Sequence, residues 1–153
     1  MVRFESIDDI LSVKMGDVIS RSDRYRLFTG NKVGNTPQKG INWLGKPPNF
    51  DLVIIRCSLA SNYSDRWISE SEGVFIYHLM AYNRGTSDAK INYSSKENTA
   101  LLNQNEHGAP VLLMIDKGRD SIEVMGRFEV IRHHNDIMSN GQIDSVILKR
   151  MID

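Results

Sequence analysis

The chain has 153 residues with 19 basic and 19 acidic side chains and one cysteine, enough for one self-supporting domain over residues 1–153. Its hydrophobic content of 41% and charged content of 25% are those of an ordinary globular protein, and the lone Cys57 excludes a disulfide framework or a multi-cysteine zinc site. No stretch reaches the roughly 18 apolar residues of a membrane span, and the acidic N-terminal segment lacks a secretion signal's basic start, so a cytoplasmic protein is expected.

Taken in order, residues 5–13 set Ile7, Ile10, Leu11 and Val13 among acidic residues and predict a short amphipathic helix ending at Gly16. Residues 17–20 read as extended, and 24–29 (RYRLFT) alternate with the period of a half-buried strand. Residues 30–50 are rich in glycine, proline and asparagine, so an irregular, functional loop is expected there. Ile41 and Trp43 argue against disorder, and Gly40 points to a backbone approached closely by something. Residues 51–57 (DLVIIRC) form a continuous β-branched run, hence a central strand; an irregular link with Tyr63, Asp65 and Trp67 leads to a strand at 73–79.

Ser94 and Glu97 have capping-box spacing and Gly108 suits the position after a helix, predicting a helix over 95–105. Strands follow at 110–116, 121–132 and 142–151. Residues 117–120 join the first two as a hairpin, Gly126 marks a bulge or barrel bend, and Asn140-Gly141 is a turn signal. Five or six strands with two short helices make a β-rich α+β domain: a curved sheet or partly closed barrel with short flanking helices.

Charge is spread unevenly: residues 21–56 carry seven basic and two acidic side chains, while 101–153 carry six and eight. A locally basic segment suits a phosphate-facing surface, or equally a solvated face. The ordered pieces Lys39-Gly40-Ile41, Tyr63-Ser64-Asp65-Arg66-Trp67, Gly73-Val74-Phe75-Ile76-Tyr77, Asn98-Thr99-Ala100-Leu101-Leu102-Asn103 and Gly126-Arg127-Phe128 carry a family pattern. Together they resemble the SRA-like and sulfur-binding DNA-recognition domains, within the PUA-like superfamily, of modification-dependent (type IV) HNH restriction endonucleases. The resemblance runs from about residue 21 to 132. It departs at His78-Leu79-Met80-Ala81, where relatives have threonine–glycine–glutamate–glycine, and at Lys39, where they have glycine.

The resemblance implies a PUA-like or SRA-like fold and a module that binds modified double-stranded DNA, with a phosphorothioate backbone or a modified cytosine as the mark. It implies no membrane partner, and leaves open a C-terminal nuclease domain in a longer protein and a homodimer. A reader of RNA or modified RNA, and a protein-interaction domain without nucleic acid, are the alternatives. Reading a mark in DNA needs cations on phosphate, aromatics to wall or stack, and a few groups to read an edge. Arg24, Arg26, Lys32, Lys39 and Arg84 are the cation candidates, with backbone near Gly40; Asn35, Gln38 and Asn42 are candidate polar donors, or ordinary turn residues. Tyr63, Asp65, His78, Tyr82 and Asn83 are the candidates for a modification pocket. Tyr77 and Trp67 read better as core; Asp65 could equally pin its neighbours, and His78 could equally be structural. No phosphate loop, nucleophile elbow or metal-ligand cluster appears, so no cofactor and no catalysis are expected. Cys57, in an apolar run, reads as an inert buried thiol.

Overall fold

The computed structural model describes residues 6–28, 35, 40–58, 65–82, 90–136 and 141–152. A 3-10 helix, Ile7–Ser12, leads into β1 (Val18–Ser20) and α1 (Arg21–Phe28). A hairpin of β2 (Ile41–Lys46) and β3 (Asn49–Cys57) follows, then β4 (Arg66–Ser69) and β5 (Val74–His78). The short pair β6 (Ala81–Tyr82) and β7 (Lys90–Ile91) precedes α2 (Lys96–Leu102) and α3 (Gln104–His107). The chain closes with β8 (Val111–Gly118), β9 (Ser121–His134) and β10 (Ser145–Arg150).

The main sheet runs β2-β3-β8-β9-β10-β5-β4, with β1 also paired to β9, and it curves without closing. All its pairings are antiparallel except β3 with β8, whose connection passes through β4–β7, α2 and α3. Alternation along β3 and β8 feeds two cores. Val53, Ile55, Val111, Leu113 and Ile115 join Phe75, Leu101 and Leu148 on one face; Leu52, Ile54, Leu112 and Met114 join Ile10 and Ile19 on the other. Gly126 makes β9 serve both. Leu113 pairs with Gly126 but Met114 with Val124, so one extra residue enters β9 there. Ile122 and Val124 therefore face the second core, whereas Phe128 and Val130 face the first. At φ +115, this bulge needs a residue without a side chain.

The β-rich architecture, the central strand at 51–57, the strand at 73–79, the three closing strands and the Gly126 bulge agree with the sequence reading. Several local expectations do not. Residues 24–28 of the run expected as a strand lie in α1, which Ser20 caps by accepting the Asp23 backbone N–H on Oγ at 2.9 Å; Ser20-x-x-Asp23 is the sequence signal, and Thr29 lies outside the described residues. The breaker-rich segment contains β2, since Ile41 and Trp43 pack on one face and Leu44 on the other. The link expected to be irregular turns into β4 at Arg66, which brings the strands among the described residues to ten. The helix cap is Ser95, not Ser94: Ser95 Oγ accepts from the Asn98 N–H at 3.1 Å. That helix breaks at Asn103 into α2 and α3 before ending at Gly108. The opening helix is of the tighter 3-10 type. The turn expected at Asn140-Gly141 involves Asn140, which lies outside the described residues.

Candidate functional site

The C-terminal end of β5 carries a buried polar arrangement. His78 is 1% exposed, and each of its ring nitrogens meets a carboxylate. Nδ1 lies 2.9 Å from Asp65 Oδ1, and the His78 backbone N–H donates to the same oxygen at 2.8 Å. Nε2 lies 2.9 Å from Asp136 Oδ2. Arg66 grips Asp136 with two parallel bonds, Nη1 to Oδ2 at 3.0 Å and Nη2 to Oδ1 at 3.2 Å. The strands dictate this meeting. Asp65 immediately precedes β4, His78 ends β5, and Asp136 follows β9, whose partner β10 pairs with β5. Asp144, buried ahead of β10, fixes the Asp136 main chain by accepting its N–H at 2.7 Å, and its own carbonyl accepts from the Leu79 N–H at 2.9 Å.

Ionised carboxylates only accept, whereas a neutral imidazole has one donor and one acceptor. Two ionised carboxylates on the two ring nitrogens therefore call for the imidazolium. Burial works against that charge, but the hydrogen bonds and charges of Asp65 and Asp136 outweigh it and hold the His78 pKa above its ordinary value. Burial raises the Asp65 carboxyl, with partial relief from His78. The Arg66 bonds hold Asp136 below the usual carboxylate value.

A second buried arrangement lies between α1 and the β2–β3 hairpin. Arg24 is 2% exposed, and its Nη2 donates to Asn42 Oδ1. Asn42 Nδ2 donates to Asn35 Oδ1 at 3.0 Å, and Asn35 Nδ2 donates to the Trp43 carbonyl at 2.9 Å. Burial and the neighbouring Arg56 lower the Arg24 pKa to about 10. Beside it, the Tyr77 hydroxyl donates towards the Gly40 and Arg56 carbonyls at 3.2 and 3.3 Å. A Cβ at Gly40 would stand 2.9 Å from that hydroxyl, so the close approach read at Gly40 is made by the protein's own Tyr77. Tyr77 lies in the core and the partly buried Trp67 packs against it, meeting Phe75 edge-on with ring centres 5.0 Å apart.

The predicted site residues thus divide. Asp65 and His78 come together directly, and Tyr82 in β6 is 67% exposed four residues beyond His78. Arg26 stands on the open side of α1, paired with Asp23 at 3.4 Å. Arg24, Asn35, Asn42 and Gly40 are held inside the protein's own framework. Lys32, Gln38, Lys39, Tyr63, Asn83 and Arg84 lie outside the described residues. Three participants escaped the sequence reading. Asp136 and Asp144 sit in a polar segment between two strands and come near His78 only through the sheet. Asn98 is 1% exposed and binds both sides of the β6–β7 neck: it accepts from Met80 N–H at 2.8 Å and donates to the Met80 and Asn92 carbonyls at 3.0 and 2.9 Å. Its signal was its place three residues after the Ser95 cap. Among the described residues, no cluster of three or more His, Cys, Asp or Glu could hold a metal ion.

This is an SRA-like fold. The SRA domain of SUVH5, solved with fully methylated CG DNA, superposes with a TM-score of 0.66 at 19% identity over 99% of this chain and 95% of that one. The DNA-recognition domain of the cytosine modification-dependent restriction endonuclease LpnPI gives 0.56 at 13% identity, covering 97% of this chain and 78% of its own. The DNA modification-dependent restriction endonuclease AspBHI gives 0.59 at 14% identity, covering 99% and 82%. No family profile and no curated protein matches the sequence.

Proposed function

We propose that the chain is a DNA-reading domain that binds duplexes carrying a modified cytosine and acts by binding alone. The observation that carries this reading is the buried Asp65–His78 pair at the end of β5, followed at once by the exposed Tyr82, on an SRA-like fold. A carboxylate is the natural acceptor for the cytosine exocyclic amine, and an exposed tyrosine can stack on a base taken out of the helix. Arg26 and Lys39 of the basic segment 21–56, with Arg84, supply phosphate contacts that give affinity without sequence information. The solved neighbours with DNA hold methylated or hydroxymethylated cytosine, which favours a cytosine mark over a sulfur-substituted backbone.

Binding of matched duplexes that are plain, 5-methylated, 5-hydroxymethylated or phosphorothioate, with single-stranded RNA alongside, tests the reading. Tighter binding of one of the cytosine-modified duplexes is expected. Equal affinity for all duplexes, preference for phosphorothioate or RNA, or no binding to any of them at low salt would each overturn it.

A further inference from the structure

His78 occupies the position where the resemblance places a threonine, and its ring is tied on both sides: Asp65 at Nδ1 and Asp136 at Nε2, each at 2.9 Å. Both bonds from His78 to Asp65 fall on Oδ1, so Oδ2 takes no part in holding the histidine. Asp136 is fixed from behind by the two Arg66 bonds and by Asp144 through its main chain. We propose that Asp136, held by Arg66, is a positioning residue of the modified-base site: it keeps His78 donating from both ring nitrogens and so keeps Asp65 fixed for the base edge. The proposal rests on the reading of Asp65 and His78 as that site.

The charges around His78 make this arrangement conditional on its proton. Among the described residues, the titratable and charged groups of its surroundings are Asp65 ahead of β4, Arg66 on β4, Asp136 beyond β9 and Asp144 ahead of β10. The Asp65 charge also reaches Cys57 at the end of β3, raised to about 12 chiefly by burial, and Tyr77, raised well above its ordinary value. Neither of these ionises near neutral pH, which leaves His78 as the group that changes. When His78 loses its second proton, one of its two nitrogens turns a lone pair towards a carboxylate. Either Asp65 or Asp136 is then repelled, and the fixed geometry at Asp65 is lost. Preference for modified over plain DNA should therefore fall as pH rises. Without the Asp136 charge, the fall should begin at lower pH.

The test measures affinity of the full chain for a duplex with one 5-methylcytosine and for its unmodified twin, from about pH 6 to about pH 9. Wild type, Asp136→Asn, Arg66→Gln and Asp65→Asn are compared, and ring-nitrogen NMR follows His78 directly. Asp136→Asn should keep the wild-type preference near the acid end and lose about tenfold of it at the top of the range, with the His78 midpoint moved down. Arg66→Gln, at a half-exposed side chain, should shift the midpoint the same way by less. If Asp136→Asn does not fold, Arg66→Gln and its His78 titration decide. Variants that follow wild type at every pH while Asp65→Asn loses its preference would overturn the positioning role, as would a wild-type preference indifferent to pH. An Asp65→Asn variant that keeps full preference would instead overturn the site reading, and this proposal with it.

Discussion

His78 is the residue on which stability and the proposed recognition meet. With one carboxylate against each ring nitrogen, its removal leaves two largely buried acids without their shared partner. Breaking a buried ion pair in this way is costly, so His78→Ala should lower unfolding free energy by about 3–5 kcal/mol, read by denaturant titration. The sign with pH follows from the raised pKa. The stability His78 contributes is fully present below its ordinary value of 6.5 and is lost as pH rises through the elevated folded value. Thermal midpoints should fall as pH rises through that window in the wild type and fall less in a folded His78→Gln variant. Tyr82 offers the opposite case. It is 67% exposed, so Tyr82→Ala should leave the melting temperature near that of wild type. Affinity for modified DNA alone should drop by about 1–3 kcal/mol, the worth of one stacking contact. Equal loss on plain and modified duplexes would remove Tyr82 from the pocket.

Among the elements, the β6–β7 pair depends on a side chain from outside it. Asn98, presented by the first turn of α2, satisfies the Met80 N–H and C=O and the Asn92 C=O on the two sides of the neck. Asn98→Ala strips part-buried main-chain groups of their partner, at about 0.5–1.5 kcal/mol for each bond lost. Its particular signature should be faster hydrogen exchange at the Met80 amide with protection in β8 and β9 retained, since those strands pair with each other and not with the neck. An unchanged Met80 amide would show that the strand pair holds its own shape. The β9 bulge acts on a larger scale: by reversing which face Ile122–Val124 and Phe128–Val130 present, it lets one strand close two cores.

Across the whole molecule, zero net charge conceals a basic segment at 21–56 and an acidic last third. If that asymmetry carries phosphate binding, Arg26→Ala, Lys39→Ala and Arg84→Ala should weaken plain and modified duplexes alike. Each lost phosphate contact should flatten the log–log salt slope by roughly 0.9. Mutants of the Asp65–His78 site should leave that slope unchanged while lowering the preference for modified DNA. The two groups would then separate on a plot of specificity ratio against salt slope. Coincidence of the two groups would show that one surface performs both tasks.

The sequence by itself determined the β-rich class, the buried run of β3, the closing strands and the Gly126 bulge, because period-two alternation and glycine punctuation are local properties of a chain. It also singled out Asp65 and His78 as candidates by residue type and place. It misjudged α1 and β2: residues 24–29 alternate like a strand, but the Ser20 cap and the packing of Arg24 against Asn42 set Arg21–Phe28 as a helix. The pairing of Asp65 with His78, 13 residues away, and of His78 with Asp136, 58 away, is set by the order β9-β10-β5-β4. Sheet order is a property of long-range contacts, so tertiary structure alone decided that one histidine would bridge two carboxylates and that Arg24 would face inward rather than towards solvent.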